Sequence, residues 1–226
     1  MKPRLRFLPL IAIVLSTAGL PLLWPDAGPG REPGERQKIV AFGDSLTAGL
    51  GVSRERAYPA QLEKRLNAEG LHYQVVNAGV SGDTTAGGVR RVQWILKSRP
   101  QIVVLELGAN DGLRGLSLAQ TRQNLAEIIE RLLEAKVHVV LAGMKLPPNY
   151  GEDYTTGFER LYPALATRYR LPLIAFFLEG VAARPALNQA DGIHPTEDGY
   201  RLVAETVYQV IRPLLEKFNA QSPDPP

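Results

Sequence analysis

The sequence predicts an α/β fold, in which a five-stranded parallel sheet is covered by helices on both faces. Five short apolar runs alternate with longer segments whose apolar residues recur at helical spacing. Such continuous apolar runs are typical of strands buried between two helical layers. Right-handed crossovers then favour a three-layer, flavodoxin-like arrangement with strand order 2-1-3-4-5. The five predicted strands are 38–42, 73–77, 102–107, 137–142 and 173–176.

The first two helices have clear start and stop residues. Pro59 suits the first turn of a helix, because its missing N–H would have no partner there, and Gly70 suits the position that ends it. Segment 85–97 has apolar residues along one face and stops before Pro100.

Capping residues predict the starts of the next two helices. The two capping-box pairs are Ser117 with Gln120, opening a helix to about residue 135, and Thr156 with Glu159. Pro163 should kink or shorten the second of these helices. The last predicted helix is 197–218, bent near its end by Pro213.

Composition excludes several kinds of chemistry. The 226 residues include no cysteine, which excludes disulfides, cysteine-bound metal centres, a thiol nucleophile and a lipid-modified cysteine. Lys2, Arg4 and Arg6 account for the basic excess, since the other 23 basic residues are balanced by 23 acidic ones. A neutral body gives no reason to expect a nucleic-acid partner.

The N-terminal segment has the layout of an export signal, with three basic residues before the apolar run 7–24. We expect 1–24 to be a signal peptide or an uncleaved signal anchor, with a buried N-terminal helix as the alternative. Segment 25–37, rich in proline, glycine and charge, is predicted to be a linker. One folded domain, 38–219, and a disordered tail, 220–226, complete the organisation.

Polar residues follow the first three predicted strands, where ligands bind in open α/β sheets. Ser45 follows the first strand on a tight turn that can project its hydroxyl into a cleft. Gly79, after the second strand, allows a backbone N–H to approach a ligand closely. Asn110, after the third, carries an amide that donates a hydrogen bond without titrating. Each residue alone is also explained by an ordinary turn, loop or cap.

His194 is the histidine best placed for chemistry. The other two, His72 and His138, lie at the opposite ends of their strands, whereas His194 follows Asp191 by three residues in a polar loop. Residues at this spacing can lie side by side. The Asp191 carboxylate would then accept from Nδ1–H and leave Nε2 as a base towards Ser45.

Five phrases in order along residues 38–217 resemble the SGNH hydrolases, the family of GDSL esterases and lipases. They are GDSLTAG, NAGVSGDT, ELGANDGLRG, LPPNYGEDY and DGIHPTEDGY. Within the family the chain is similar to the bacterial subgroup of acyl-CoA thioesterases, lysophospholipases and arylesterases. The resemblance implies the SGNH hydrolase fold and hydrolysis of carboxylic esters and thioesters through an acyl-enzyme.

The same resemblance implies residue roles. Ser45 would be the nucleophile, His194 the base and Asp191 the residue that orients it. Ser45 and Gly79, through their backbone N–H groups, and Asn110, through its amide, would form the oxyanion hole. No metal and no cofactor are needed for this reaction.

Substrate-binding residues are expected where segment 146–151 follows the fourth strand. This segment resembles a loop that moves over bound acyl chains in the subgroup; the alternative is a rigid Pro-Pro turn. Arg114 either meets an anionic head group of the substrate or is a solvated surface residue. Glu106 lies inside an apolar strand and should therefore be paired or have a raised pKa. The candidate groove residues are Leu113, Leu146, Pro147 and Phe176.

Two other functions remain open at this stage. One is a carbohydrate or peptidoglycan O-acetylesterase on the same fold, and the other is a non-catalytic lipid-binding module. The expected partner is a small acyl ester or thioester, including a lysophospholipid, with no nucleic acid. We expect a monomer in the periplasm, or attached to the outer face of the bacterial inner membrane through 7–24.

Overall fold

The computed structural model describes residues 36–221. The predicted leader 1–24, the linker up to residue 35 and the end of the predicted tail, 222–226, lie outside the described residues. The predicted boundary at 219 falls inside a helix that continues to Gln221.

The sheet has five parallel strands in the order β2-β1-β3-β4-β5, which confirms the predicted fold and topology. The first four strands agree with their predicted positions to within one residue at each end, whereas the fifth is two residues shorter than predicted. Because the strands are parallel, their carboxyl ends meet at one edge. The strands are β1 (Gln37–Gly43), β2 (Tyr73–Asn77), β3 (Ile102–Glu106), β4 (His138–Ala142) and β5 (Leu173–Ile174).

Seven helices surround this sheet within the described part of the chain. One layer contains α2 packed against α7, and the other contains α3 packed against α5. Single 3₁₀ turns occur at Pro148–Tyr150 and Pro185–Leu187. The helices are α1 (Ser45–Ala48), α2 (Tyr58–Ala68), α3 (Thr85–Lys97), α4 (Ala109–Leu113), α5 (Leu118–Glu134), α6 (Glu152–Tyr169) and α7 (Glu197–Gln221).

The core lies between the sheet and the two helical layers. Residues 39–42 of β1 and 102–105 of β3 are fully buried along their whole length, with no alternation between buried and exposed positions. This pattern follows from helices covering both faces of the sheet, and it explains why the strands read as continuous apolar runs.

One predicted helix start is wrong. Thr156 and Glu159 do not form a capping box, because α6 already begins at Glu152, directly after Gly151, whose φ is +86°. Glu152 and Asp153, in its first turn, are stabilised by the positive end of the helix dipole. They mark the true start of the helix. Pro163 lies inside α6 without ending it.

Within residues 36–221, the helices are all too short or too polar to span a bilayer.

Candidate active site

Ser45 and His194 meet at the carboxyl edge of the sheet. Ser45 is the first residue of α1, immediately beyond β1, and its Oγ lies 2.9 Å from Nε2 of His194. On the other side of the ring, Nδ1 of His194 lies 2.6 Å from Oδ2 of Asp191. The structure therefore brings together the three residues that the sequence singled out, although Ser45 and His194 are 149 positions apart in the chain.

The loop before α7 holds Asp191 and His194 together through its own backbone. Asn188 and Pro195 form an antiparallel bridge, and the N–H of Gln189 donates to the carbonyl of His194 at 2.7 Å. Oδ1 of Asp191 accepts the backbone N–H groups of Ile193 and His194, at 2.9 and 3.0 Å. A closed turn, not a helix, therefore provides the predicted spacing.

These hydrogen bonds keep the Asp191 carboxyl ionised. The backbone N–H of His194, its ring and the backbone N–H of Ile193 lower the pKa of Asp191 to about 2. An ionised carboxylate only accepts hydrogen bonds, so Nδ1 of His194 must carry a proton. In the neutral ring Nε2 is then the acceptor for the Ser45 hydroxyl.

Asn110 lies on the short helix α4, one turn beyond β3. Its Nδ2 donates to Oδ2 of Asp44 at 2.8 Å, so Asp44 fixes which end of the amide carries the N–H groups. Because the amide group is planar, the same contact also fixes the direction of its second N–H. The backbone N–H of Ser45 belongs to the first turn of α1, where N–H groups have no intrahelical acceptor.

Gly79 lies against the turn that carries the serine. A Cβ at this position would overlap the backbone of Thr47 and Ala48, so only glycine fits. Its N–H donates to Oδ1 of Asn77 at 2.9 Å. An oxyanion at this position has to share or replace that bond, which the sequence prediction did not anticipate.

Arg91, on α3, was missed by the sequence analysis. Its guanidinium donates to the carbonyls of Gly43 and Ala78, both at 2.9 Å, and pairs with Asp83 at 2.7 Å. The group also lies over the ring of Phe42, 4.7 Å from its centre. Arg91 thus fastens the segment after β1, which carries Ser45, to the segment after β2, which carries Gly79. An arginine within a helix gives no motif that would have revealed this role.

A buried polar network fixes α4 in a similar way. Asp111 accepts the backbone N–H of Thr85 at 2.8 Å and its hydroxyl at 2.6 Å. Asn124 of α5 donates to that hydroxyl at 3.0 Å. Asp111 follows Asn110 directly, so the network anchors the helix that presents the amide.

Two of the predicted substrate-binding residues, Leu113 and Leu146, lie on or against α4. Leu146 packs against Gly112 of α4, where a Cβ would overlap its side chain. The Tyr150 hydroxyl donates to the carbonyl of Leu113 at 2.9 Å. Segment 146–151 therefore contacts α4, the helix of Asn110.

Of the other two candidates, Pro147 lies in the same segment and Phe176 follows β5. Pro147 is exposed and precedes the 3₁₀ turn. Phe176 is half-buried, and its ring lies 5.3 Å from Nζ of Lys145. Arg114, at the end of α4, donates to the carbonyl of Gly82 at 2.9 Å.

Among the residues that the structure describes, no three histidine, aspartate or glutamate side chains are grouped to hold a metal ion.

The doubly wound sheet, with Ser45, His194 and Asp191 in hydrogen-bond contact at its carboxyl edge, has the arrangement of a hydrolase of the serine type. Residues 41–202 match the family described as GDSL-like Lipase/Acylhydrolase. The chain belongs to this family, and it is a carboxylic ester hydrolase.

Characterised relatives cover most of the chain. It is 44% identical to Esterase TesA of Pseudomonas aeruginosa over 79% of this chain and 90% of that protein. It is 39% identical to Thioesterase 1/protease 1/lysophospholipase L1 of Escherichia coli K12 over 78% of this chain and 84% of that protein. A crystal structure of TesA superposes with a TM-score of 0.76 at 44% identity, covering 79% of this chain and 99% of that one.

Arg91→Ala should lower kcat while changing KM less. The change removes the guanidinium that joins the carbonyls of Gly43 and Ala78 to the Asp83 carboxylate, so the turns carrying Ser45 and Gly79 lose part of their mutual alignment. Small misplacements of this kind reduce rates by about tenfold to a hundredfold. Steady-state kinetics with a p-nitrophenyl ester, well below the melting temperature, measure the effect.

The matched control is Arg212→Ala, which removes an exposed arginine paired with Glu216 on α7. Exposed pairs contribute about 0–1 kcal/mol, so this variant should behave as wild type. A folded Arg91→Ala protein with wild-type kcat would show that Arg91 does not align the two turns.

Proposed function

We propose that Ser45 is the nucleophile of an esterase and thioesterase that works through an acyl-enzyme. The observation that carries the proposal is the 2.9 Å contact between Ser45 Oγ and His194 Nε2. Oγ attacks the acyl carbonyl carbon as Nε2 takes its proton. The proton then passes to the departing alcohol oxygen or thiol sulfur, and water, activated by the same nitrogen, hydrolyses the acyl-Ser45 ester.

Three donors would face the oxyanion of the tetrahedral intermediates. They are the backbone N–H groups of Ser45 and Gly79 and the Asn110 amide. Each such donor contributes about 3–4 kcal/mol to lowering the barrier. Asp191 would stabilise the imidazolium that forms on His194, a role supported by its lowered pKa.

Ser45→Ala should lower hydrolysis by at least about a thousandfold, because the nucleophile is lost while the surrounding backbone is unchanged. Ser98→Ala is the matched control, since this serine caps the far end of α3 by donating to the carbonyl of Ile95. Mass spectrometry after reaction with an organophosphonate should find one added group, on Ser45. Full activity in Ser45→Ala, or a label on another serine, would reject the assignment.

We propose that the preferred substrates are esters and thioesters with medium or long acyl chains, including lysophospholipids. The name of the E. coli relative, which includes thioesterase and lysophospholipase, supports thioesters and lysophospholipids as substrates. The rim of the site supports the longer acyl chains, because Val80 and Ile193, the neighbours of Gly79 and His194, are exposed apolar residues there. Leu146, packed on α4, would extend this apolar surface.

The chain-length profile tests this proposal. We expect kcat/KM for p-nitrophenyl esters to rise from acetate to medium chains. Leu146→Ala should reduce kcat/KM for the longer chains by about tenfold and leave acetate nearly unchanged, since each buried methylene contributes about 0.8 kcal/mol. Leu133→Ala, at an exposed position of α5, is the control. A steep preference for acetate would instead favour a carbohydrate O-acetylesterase.

We also propose that the enzyme acts outside the cytoplasm, in the periplasm or on the outer face of the inner membrane. The basic and apolar layout of residues 2–24 supports this. Fractionation of bacteria expressing the full chain should find it outside the cytoplasm, and its intact mass will tell a cleaved leader from an anchor. A full-length cytoplasmic protein would contradict export.

A further inference from the structure

Two buried carboxyl groups that do not belong to the serine–histidine–aspartate triad lie behind Ser45. Asp44 and Glu106 are respectively 1% and 0% exposed. Glu106 is the last residue of β3 and is paired in register with Gly43 of β1, so the two side chains meet at the base of the turn that carries the nucleophile.

Glu106 supports that turn directly. Its Oε2 accepts the hydroxyl of Thr47 at 2.8 Å and the backbone N–H of Asp44 at 3.3 Å. A Cβ on Gly43 would overlap this oxygen, so the carboxyl fills the space left by the glycine. The side chain therefore contacts residues on both sides of Ser45.

Asp44 connects the turn to the oxyanion site. Its Oδ1 accepts the N–H of Leu46 at 3.0 Å, and its Oδ2 accepts Nδ2 of Asn110 at 2.8 Å. An ionised Asp44 only accepts hydrogen bonds, so it holds the Asn110 amide with its nitrogen towards the Asp44 carboxylate. A protonated Asp44 could donate to the amide oxygen, and the amide could then turn over.

Two carboxylates in one buried space cannot both be ionised at moderate cost. Burial, and then the charge of Asp44, raise the pKa of Glu106 well above its usual range. Burial also raises the pKa of Asp44, to about 6, against the lowering effect of hydrogen bonds from Leu46, Asn110 and Glu106. Near neutral pH the proton therefore lies on Glu106 and the charge on Asp44.

The other titratable groups around the pair are consistent with this distribution. Tyr58 of α2, Tyr162 of α6 and Tyr200 of α7 all have pKa values raised chiefly by burial, and stay neutral. Asp111 on α4 and Asp191 also act on these tyrosines through their charges. His194 acts on Asp44 in the opposite direction to burial, towards a lower pKa.

We propose that Glu106 is a positioning residue whose carboxyl keeps its proton near neutral pH, leaving the single negative charge of the pair on Asp44. That charge then holds the Asn110 amide in the orientation that stabilises the oxyanion. The inference rests on the proposed Ser45 mechanism, and it gives a function to the buried acidic residue at the end of β3.

Two variants of Glu106 test the proposal. Glu106→Gln replaces a protonated carboxyl by a neutral group of the same shape, so kcat should stay within about threefold of wild type and the acid limb of the pH profile should not move. Glu106→Leu removes both the acceptor and the donor. It should lower kcat by about tenfold to a hundredfold, as for a misaligned oxyanion donor, with a smaller change in KM.

The pH profile separates a positioning role from a purely structural one. Without the hydrogen bond from Glu106, the pKa of Asp44 should rise, so Glu106→Leu should lose kcat at a higher pH than wild type on acidification. Loss of activity in a folded Glu106→Gln would show that a charge on Glu106 is required and would overturn the proposal. An unchanged kcat and acid limb in Glu106→Leu would do the same.

Infrared spectroscopy decides the question even where Glu106→Leu does not fold. Wild type at neutral pH should show the C=O band of a protonated, buried carboxyl, and Glu106→Gln should lack it. Absence of the band in wild type would refute the proton assignment. Organophosphonate labelling of Ser45 in the same samples keeps the two hypotheses apart, because an unlabelled wild type means that the proposed mechanism has failed, whatever Glu106 does.

Discussion

Strand β1 lies between β2 and β3, and its last residue, Gly43, is paired in register with Glu106 of β3. This placement decides where the chemistry lies, because the loops after three adjacent parallel strands open at one edge. Ser45, Gly79 and Asn110 come from those three loops. Their approach depends on small residues, since Gly43 leaves room for the Glu106 carboxyl and Gly79 for the backbone of α1. Arg91 then joins the first two loops and Asp44 joins the first to the third.

The two aspartates of the site are driven in opposite directions by their surroundings. Asp191 is nearly half exposed and receives hydrogen bonds from His194 and Ile193, so its pKa falls to about 2 and its charge is available to the imidazole. Asp44 is buried beside Glu106, so its pKa rises to about 6. Two carboxyl groups around the same serine thus have different pKa values, because burial dominates at Asp44 and hydrogen bonds dominate at Asp191.

Most of the sheet, and the contact of Ser45, His194 and Asp191, could be predicted from the sequence for physical reasons. Strands buried on both faces are continuous apolar runs, and polar residues that follow them stand out. The register that brings Glu106 beneath Asp44 is not written in either strand, and neither are the bonds of Arg91, because all of these depend on residues far apart in the chain. The one-turn helices α1 and α4 are too short to show a periodic pattern.

His194 is held differently from Ser45. Ser45, Gly79 and Asn110 belong to the sheet edge, whereas Asp191 and His194 belong to a loop closed by its own hydrogen bonds. This loop leads into α7, which packs on α2, and Gln189 fastens it to the carbonyl of Leu50 at 2.7 Å. The Ser45–His194 distance therefore depends on the packing of α7 as well as on the sheet. A change in the α2–α7 contact would separate His194 from Ser45 while leaving Ser45, Gly79 and Asn110 aligned with one another.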